Sequence, residues 1–147
     1  MSYTQRVSED FAPLVSYNAD SLGAGTTTSA YVDMETYHRG WLVLNVGEMQ
    51  AGATLDVSLR QATDNAGAGV KAITGKAITQ LTQAGGDGDD LLCIELQTEE
   101  LDVDGGFNFV TVTVTVAVDN VELAWTYFGT QSRFKPVPVT NWTEVVG

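Results

Sequence analysis

The stretch Phe107 to Val118, FNFVTVTVTVAV, runs for twelve residues without a charge in a chain whose formal net charge is −12. Val110, Val112, Val114, Val116 and Val118 fall on one side of an extended segment, and Thr111, Thr113 and Thr115 fall on the other. A period of two specifies a β-strand with one apolar face. A neutral, β-branched strand of this length is an aggregation hazard at a sheet edge, so it is expected in a sheet interior, paired on both sides. The valine side then faces the core, and the threonine side faces either solvent or a neighbouring subunit.

The same pattern recurs along the chain, while helix-type periodicity barely occurs. Strands are expected at Phe11 to Tyr17, Thr27 to Val32, Trp41 to Val46, Thr54 to Ala62, Leu91 to Gln97, Phe107 to Val118 and Val121 to Gly129. Gly-, Asp- and Asn-rich turns such as SLGAGTT, TDNAGAGV and AGGDGDD separate them. Asp119-Asn120 tolerates the positive φ of a two-residue turn, which predicts a long hairpin between the last two strands as the central ladder of a sheet. The segment Lys71 to Ala84 reads as a short strand followed by a second strand or one helical turn. Seven or more short strands in 147 residues specify an all-β fold, an antiparallel β-sandwich of jelly-roll type, with a core large enough to stand without disulfides. Pro136 and Pro138 exclude a central strand near the C-terminus. The expected division is an N-terminal arm over 1–10, the sandwich over 11–132 and an extended C-terminal arm over 133–147.

Seven Lys and Arg oppose nineteen Asp and Glu. With a sequence pI near 4.1 the chain repels a phosphate backbone, so nucleic acid is not an expected partner. The N-terminus carries neither a signal-type pattern nor an apolar span of membrane length, so no membrane partner is expected either. Cys93, within LLCIEL, reads as a small buried hydrophobe. His38, the single histidine, lies in the expected turn YHRG, and nothing pairs it with an activated nucleophile, so the expectation is not an enzyme. Two Cys and His in total are too few for a zinc site, and no phosphate-cradling loop opens a helix. No cofactor is expected.

Eight acids, Asp87, Asp89, Asp90, Glu95, Glu99, Glu100, Asp102 and Asp104, lie within eighteen residues free of Lys and Arg. They read as a solvated acidic rim, with calcium at Asp102/Asp104 or at Asp87/Asp89/Asp90 as the alternative. Carboxylate-pair glycosidase chemistry needs only two acids at a suitable separation, which a sequence does not display. Trp41, Trp125 and Tyr127 lie in strands and are expected in the core, the alternative being the lining of a sugar cleft.

The segments RVSEDFAPLV, YVDMETYHRGWLVLNVGEM, LRQATDNAGAGVKAI and IELQTEELDVDGGFNFVTVTV together resemble capsid decoration, or cement, proteins of tailed bacteriophages. The resemblance spans about Arg6 to Gly129, and QATDNAGAGVKA and ELDVDGGFNFV are its most distinctive parts. It implies a β-sandwich, often a jelly roll, on the outer surface of the virion capsid. There it would sit as a homotrimer at three-fold and quasi-three-fold positions and clamp neighbouring copies of the major capsid protein. A disulfide-free acidic domain and terminal arms that order on docking suit that role. Apolar anchors are expected at Tyr3, Phe11, Phe134, Val137 and Trp142, the alternative being that these residues close over their own sandwich. Thr111, Thr113 and Thr115 offer a neutral approach between acidic protomers. The competing expectation is a head-fibre or tail-associated module that recognises a host surface glycan through an exposed aromatic cleft.

Overall fold

A computed structural model describes residues 6–135, 137 and 141–146. Ten strands follow in order: β1 (Ala12–Leu22), β2 (Gly25–Thr28), β3 (Val32–Asp33), β4 (Tyr37–Met49), β5 (Thr54–Ala62), β6 (Lys71–Ala77), β7 (Leu81–Thr82), β8 (Leu91–Gln97), β9 (Phe109–Ala117) and β10 (Val121–Ser132). Single 3₁₀ turns occupy Val7–Glu9, Gln83–Gly85 and Thr98–Glu100. The ambiguous segment after Lys71 therefore resolves into strand, strand and one 3₁₀ turn.

One sheet, sheet A, has the order β1-β10-β4-β8, and its partner, sheet B, has the order β2-β9-β5-β6; β3 pairs with β9 and β7 with β5. All pairings are antiparallel. Counting the eight longer strands along the chain gives 1-8-3-6 facing 2-7-4-5, the strand order of a jelly roll. The valine run behaves as its composition demands, since β9 is interior, with β2 and β3 on one side and β5 on the other.

The expected hairpin between the last two strands does not form. β9 belongs to sheet B and β10 to sheet A, and Asp119-Asn120 carries the chain across the core. Each strand buries one apolar side: Val110, Val112, Val114 and Val116 in β9, and Val121, Leu123, Trp125 and Tyr127 in β10. Facing sheets place those two sides against one another, whereas a hairpin would set them side by side in one sheet. The crossing is tight enough to hold Val118 at φ 73°, a left-handed conformation that a β-branched residue rarely adopts.

Between the sheets lie Leu42, Leu44 and Val46 of β4, Leu55, Val57 and Leu59 of β5, and Ile94 and Leu96 of β8. Tyr127 is fully buried, and its hydroxyl donates to Met34 Sδ at 3.5 Å. Burial raises its pKa well above the ordinary phenol value, so it stays neutral. Two glycines make room for aromatic rings here. A Cβ on Gly40 would overlap the Tyr127 hydroxyl, and one on Gly129 would come within 2.7 Å of the Tyr37 ring.

Candidate functional site

Alternation along β4 sends Gly40, Leu42, Leu44 and Val46 inward and Trp41, Val43 and Asn45 to the outer face of sheet A. Register aligns those three with Phe128, Thr126 and Ala124 of β10 on one side and with Glu95, Cys93 and Leu91 of β8 on the other. The outcome is an outer face that is apolar where the outer side of a two-layer fold is ordinarily polar.

Phe11, from just before β1, and Trp142, from beyond β10, pack onto this face. Phe11 meets Trp41 edge-on with ring centroids 5.7 Å apart and meets Phe128 at 6.5 Å. Trp41 and Phe128 are 5.9 Å apart, and Trp142 lies 6.1 Å from Phe128. Polar links also join the two segments. Lys135 Nζ pairs with Asp10 Oδ1 at 2.6 Å, Asn141 Nδ2 donates to the Pro13 carbonyl at 2.6 Å, and the Val137 N–H reaches the Glu9 carbonyl at 3.4 Å. The Trp142 indole Nε1 is buried and has no hydrogen-bond acceptor among the described residues. An orphaned buried donor of this kind costs about 1–3 kcal/mol.

Trp41 separates two shallow depressions. On one side, a cleft of about 320 Å³ is lined by Asp10, Phe11, Arg39, Glu95, Thr130 and Gln131. On the other, Val43, Asn45, Ala124, Thr126 and Phe128 line a groove of about 360 Å³. Arg39 is braced in the cleft, its Nε donating to Gln131 Oε1 at 3.1 Å.

The remaining expected site residues are placed as follows. Tyr3 lies outside the described residues. Phe134 is 79% exposed, away from the aromatic cluster, with its carbonyl accepting from Ser132 Oγ. Val137 is 2% exposed and packs into the sandwich's own core. Thr111, Thr113 and Thr115 lie on the outer face of sheet B, on the far side of the core from Phe11 and Trp142. Of these, Thr111 is buried by its own chain; its hydroxyl donates to the Ser29 carbonyl at 2.8 Å. Thr115 shares a hydroxyl contact with Thr26 at 3.0 Å, while Thr113 Oγ1 is buried without a partner among the described residues.

Four placements depart from expectation: Val118, on the expected core side of the valine run, is exposed because β9 ends at Ala117; His38 lies in a strand instead of a turn; and Cys93 and Trp41 are not in the core. Cys93 is exposed, because the inward positions of β8 are Leu92, Ile94 and Leu96. Trp41 leaves the core for the outer face, whereas Trp125 and Tyr127 are buried as expected. The signal for the outer face was present in GWLVL, where apolar residues occupy both parities of one strand. Such a strand is covered on both faces. His38 lies within β4 and is exposed.

Three of the eight acids, Asp87, Glu100 and Asp102, accept backbone N–H groups of their own loops. Asp102 Oδ1 accepts the Gly105 N–H and Oδ2 pairs with Lys71, while Asp87 Oδ2 accepts the Thr82 N–H. Lys71 and the Gly105 N–H hold the Asp102 carboxyl below the usual carboxylate range, and Lys76 with the Gln97 N–H does the same for Glu100. Among the described residues no three His, Cys, Asp or Glu converge as a metal-binding group. Charge is unevenly spread. The turns at one end of the sandwich, 18–25, 47–53, 83–90 and 117–122, carry Asp20, Glu48, Asp87, Asp89, Asp90, Asp119 and Glu122 and no Lys or Arg. Backbone bonds from Asp89 to Gly47, Gln50 to Asn120 and Gln83 to Ala53 gather these turns together. No family model, curated protein or solved structure matches the chain.

Proposed function

We propose that this chain is a virion structural protein of decoration type. It binds the outside of a mature icosahedral head, as a homotrimer at three-fold and quasi-three-fold positions, and bridges neighbouring major capsid protein subunits. The observation that supports docking is the outer face of sheet A, where Phe11, Trp41, Phe128 and Trp142 form a half-exposed aromatic surface. Aromatic residues clustered at a surface are the usual anchors of protein interfaces. The concentrated negative charge at one end of the sandwich orients the molecule, keeping that end in solvent and away from packaged nucleic acid.

The mechanism is linkage. A ligand that binds only the expanded lattice stabilises that lattice by about 2.7 kcal/mol per site when present at about one hundred times its Kd. Every occupied position adds its own contribution, and a three-fold ring raises the effective concentration of the second and third protomers once the first has docked. No bond is made or broken.

The test uses shells stripped of this chain. Added back, the wild-type protein is expected to co-sediment saturably with the shells and raise their disruption temperature. The variant Trp41→Ala/Phe128→Ala is expected to stay folded and do neither. Equal binding by that variant, or no binding by the wild type, overturns the proposal. The second reading, a glycan-recognition module, is favoured by the cleft beside Trp41, which joins an aromatic face to Asp10, Arg39, Glu95 and Gln131. Quenching of tryptophan fluorescence by host-surface oligosaccharides, abolished by Trp41→Ala, would support it instead.

A further inference from the structure

Edge strands invite pairing, and proteins blunt them with short length, proline, lysine, bulges or glycine kinks. Three of the four edges here are blunted. β1 carries Pro13 and two register shifts. β2 has four residues and β3 has two. β6 has Lys71, Lys76, a register shift and Gly75 at φ 75°. The fourth edge, β8, is seven residues long, LLCIELQ, pairs with β4 in unbroken register and holds no Pro, Gly or Lys.

Its open side can be read from the ladder. The Val46 N–H donates to the Asp90 carbonyl, so the alternate residues Leu92, Ile94 and Leu96 exchange bonds with β4. Leu91, Cys93, Glu95 and Gln97 then turn their backbone groups away from the sheet. The Gln97 N–H is taken by Glu100 Oε2, and the N–H and C=O groups of Leu91, Cys93 and Glu95 have no hydrogen-bond partner among the described residues. The Leu91 side chain is 72% exposed beside them.

Charge selects the occupant. Asp87, Asp89 and Asp90 precede the strand, Glu95 lies in it, and Glu99 and Glu100 follow it; against these six carboxylates stand Lys76, paired with Glu100 at 2.8 Å, and Arg39, which shares the cleft with Glu95 and donates to Gln131, so the balance along the edge stays negative. A second copy of the chain laid antiparallel on this edge would bring the two sets of acids together at both ends. We infer that β8 accepts an extended segment of a partner protein with an apolar centre and Lys or Arg at its ends, added as a fifth strand of sheet A. The inference rests on the docking reading, with the segment supplied by the subunit that the chain decorates. The added strand widens the outer face on which Trp41, Val43 and Cys93 already lie.

The experiment follows the amide exchange of Cys93 and Glu95 by NMR in the full chain. Two seven-residue peptides of alternating Val and Thr serve as probes, one with Lys at both ends and one with Glu. At about ten times Kd the Lys-ended peptide is expected to slow exchange at both amides about tenfold, and the Glu-ended peptide is expected to leave them unchanged. Cys93→Pro removes an outward N–H without breaking a bond to β4 and is expected to abolish the effect. Glu95→Lys, which disturbs the backbone less, is expected to weaken it. Unchanged amides with the Lys-ended peptide, or equal protection by both peptides, overturns the inference. So does protection that rises with protein concentration alone together with oxidative cross-linking through Cys93, since the occupant is then a second copy. If Cys93→Pro still binds stripped shells while Trp41→Ala/Phe128→Ala does not, the edge inference falls and the docking reading stands.

Discussion

Three threonines in one strand give a graded test of what their hydroxyls do. Thr111→Val removes the donor to the part-buried Ser29 carbonyl, at 2.8 Å, and a second contact with Ser29 Oγ at 3.0 Å. Leaving a part-buried acceptor without its donor costs about 1–3 kcal/mol, and the new methyl returns up to about 0.8 kcal/mol. With that return the net loss is about 0.2–2.2 kcal/mol, which lowers Tm by about 1–7 °C at roughly 3 °C per kcal/mol for a domain of this size. Thr113→Val acts in the opposite sense. Its Oγ1 is buried with no partner among the described residues, so the methyl breaks no bond seen there and relieves a desolvation cost. Tm is expected to stay level or to rise by up to about 6 °C. At Thr115 the hydroxyl contact with Thr26 is exposed, and Val is expected to change stability by less than about 0.5 kcal/mol. Calorimetry and urea titration of the three variants at equal protein concentration provide the values. A Thr113→Val loss as large as that of Thr111→Val would refute the assignment. So would Thr115→Val as the most damaging of the three, and that result would instead favour the threonine face as a contact between subunits.

Val118 is 74% exposed at φ 73°, so Val118→Asn relieves left-handed strain at no cost in packing. A gain of about 1 kcal/mol, or roughly 3 °C in Tm, is expected by calorimetry. Asp102 has its pKa lowered by Lys71 and the Gly105 N–H, so it contributes stability above its unfolded pKa, near the ordinary value of about 3.9, and loses it as pH falls through the lower folded value. Asp102→Asn is therefore expected to lower Tm at neutral pH and to flatten the decline of Tm below about pH 4, followed by a pH series of thermal melts. Cys93, exposed on β8, is expected to react with one equivalent of a thiol reagent in the native protein at a rate that denaturant barely changes. A thiol released only on unfolding would contradict the outward placement of Cys93.

Local pattern was legible wherever one face of a strand is buried and the other wet. Thr54–Ala62 and Leu91–Gln97 coincide with their strands residue for residue, because turn residues flank both, with alternation marking the first as well. The pairing of strands was less legible. Asp119-Asn120 suits a two-residue hairpin and a crossing between sheets equally well, and the choice depends on which strands lie on either side of β9 and β10, a long-range property. Parity failed at LLCIEL for a related reason. Consecutive apolar residues leave the register open, and a shift of one residue exchanges Cys93 with its neighbours between core and surface. The aromatic outer face needed the third dimension too, since Phe11, Trp41, Phe128 and Trp142 come from four separate stretches of sequence.

Imaging of the intact particle bears most directly on the proposed role. Expected is density for the jelly roll on the outside of the shell, in threes around three-fold and quasi-three-fold positions, with Trp41 and Phe128 turned toward capsid subunits and the turns bearing Asp89, Asp119 and Glu122 toward solvent. A particle whose shell carries no such density, or one in which the outer face of sheet A looks into solvent while another surface makes the contact, would contradict it.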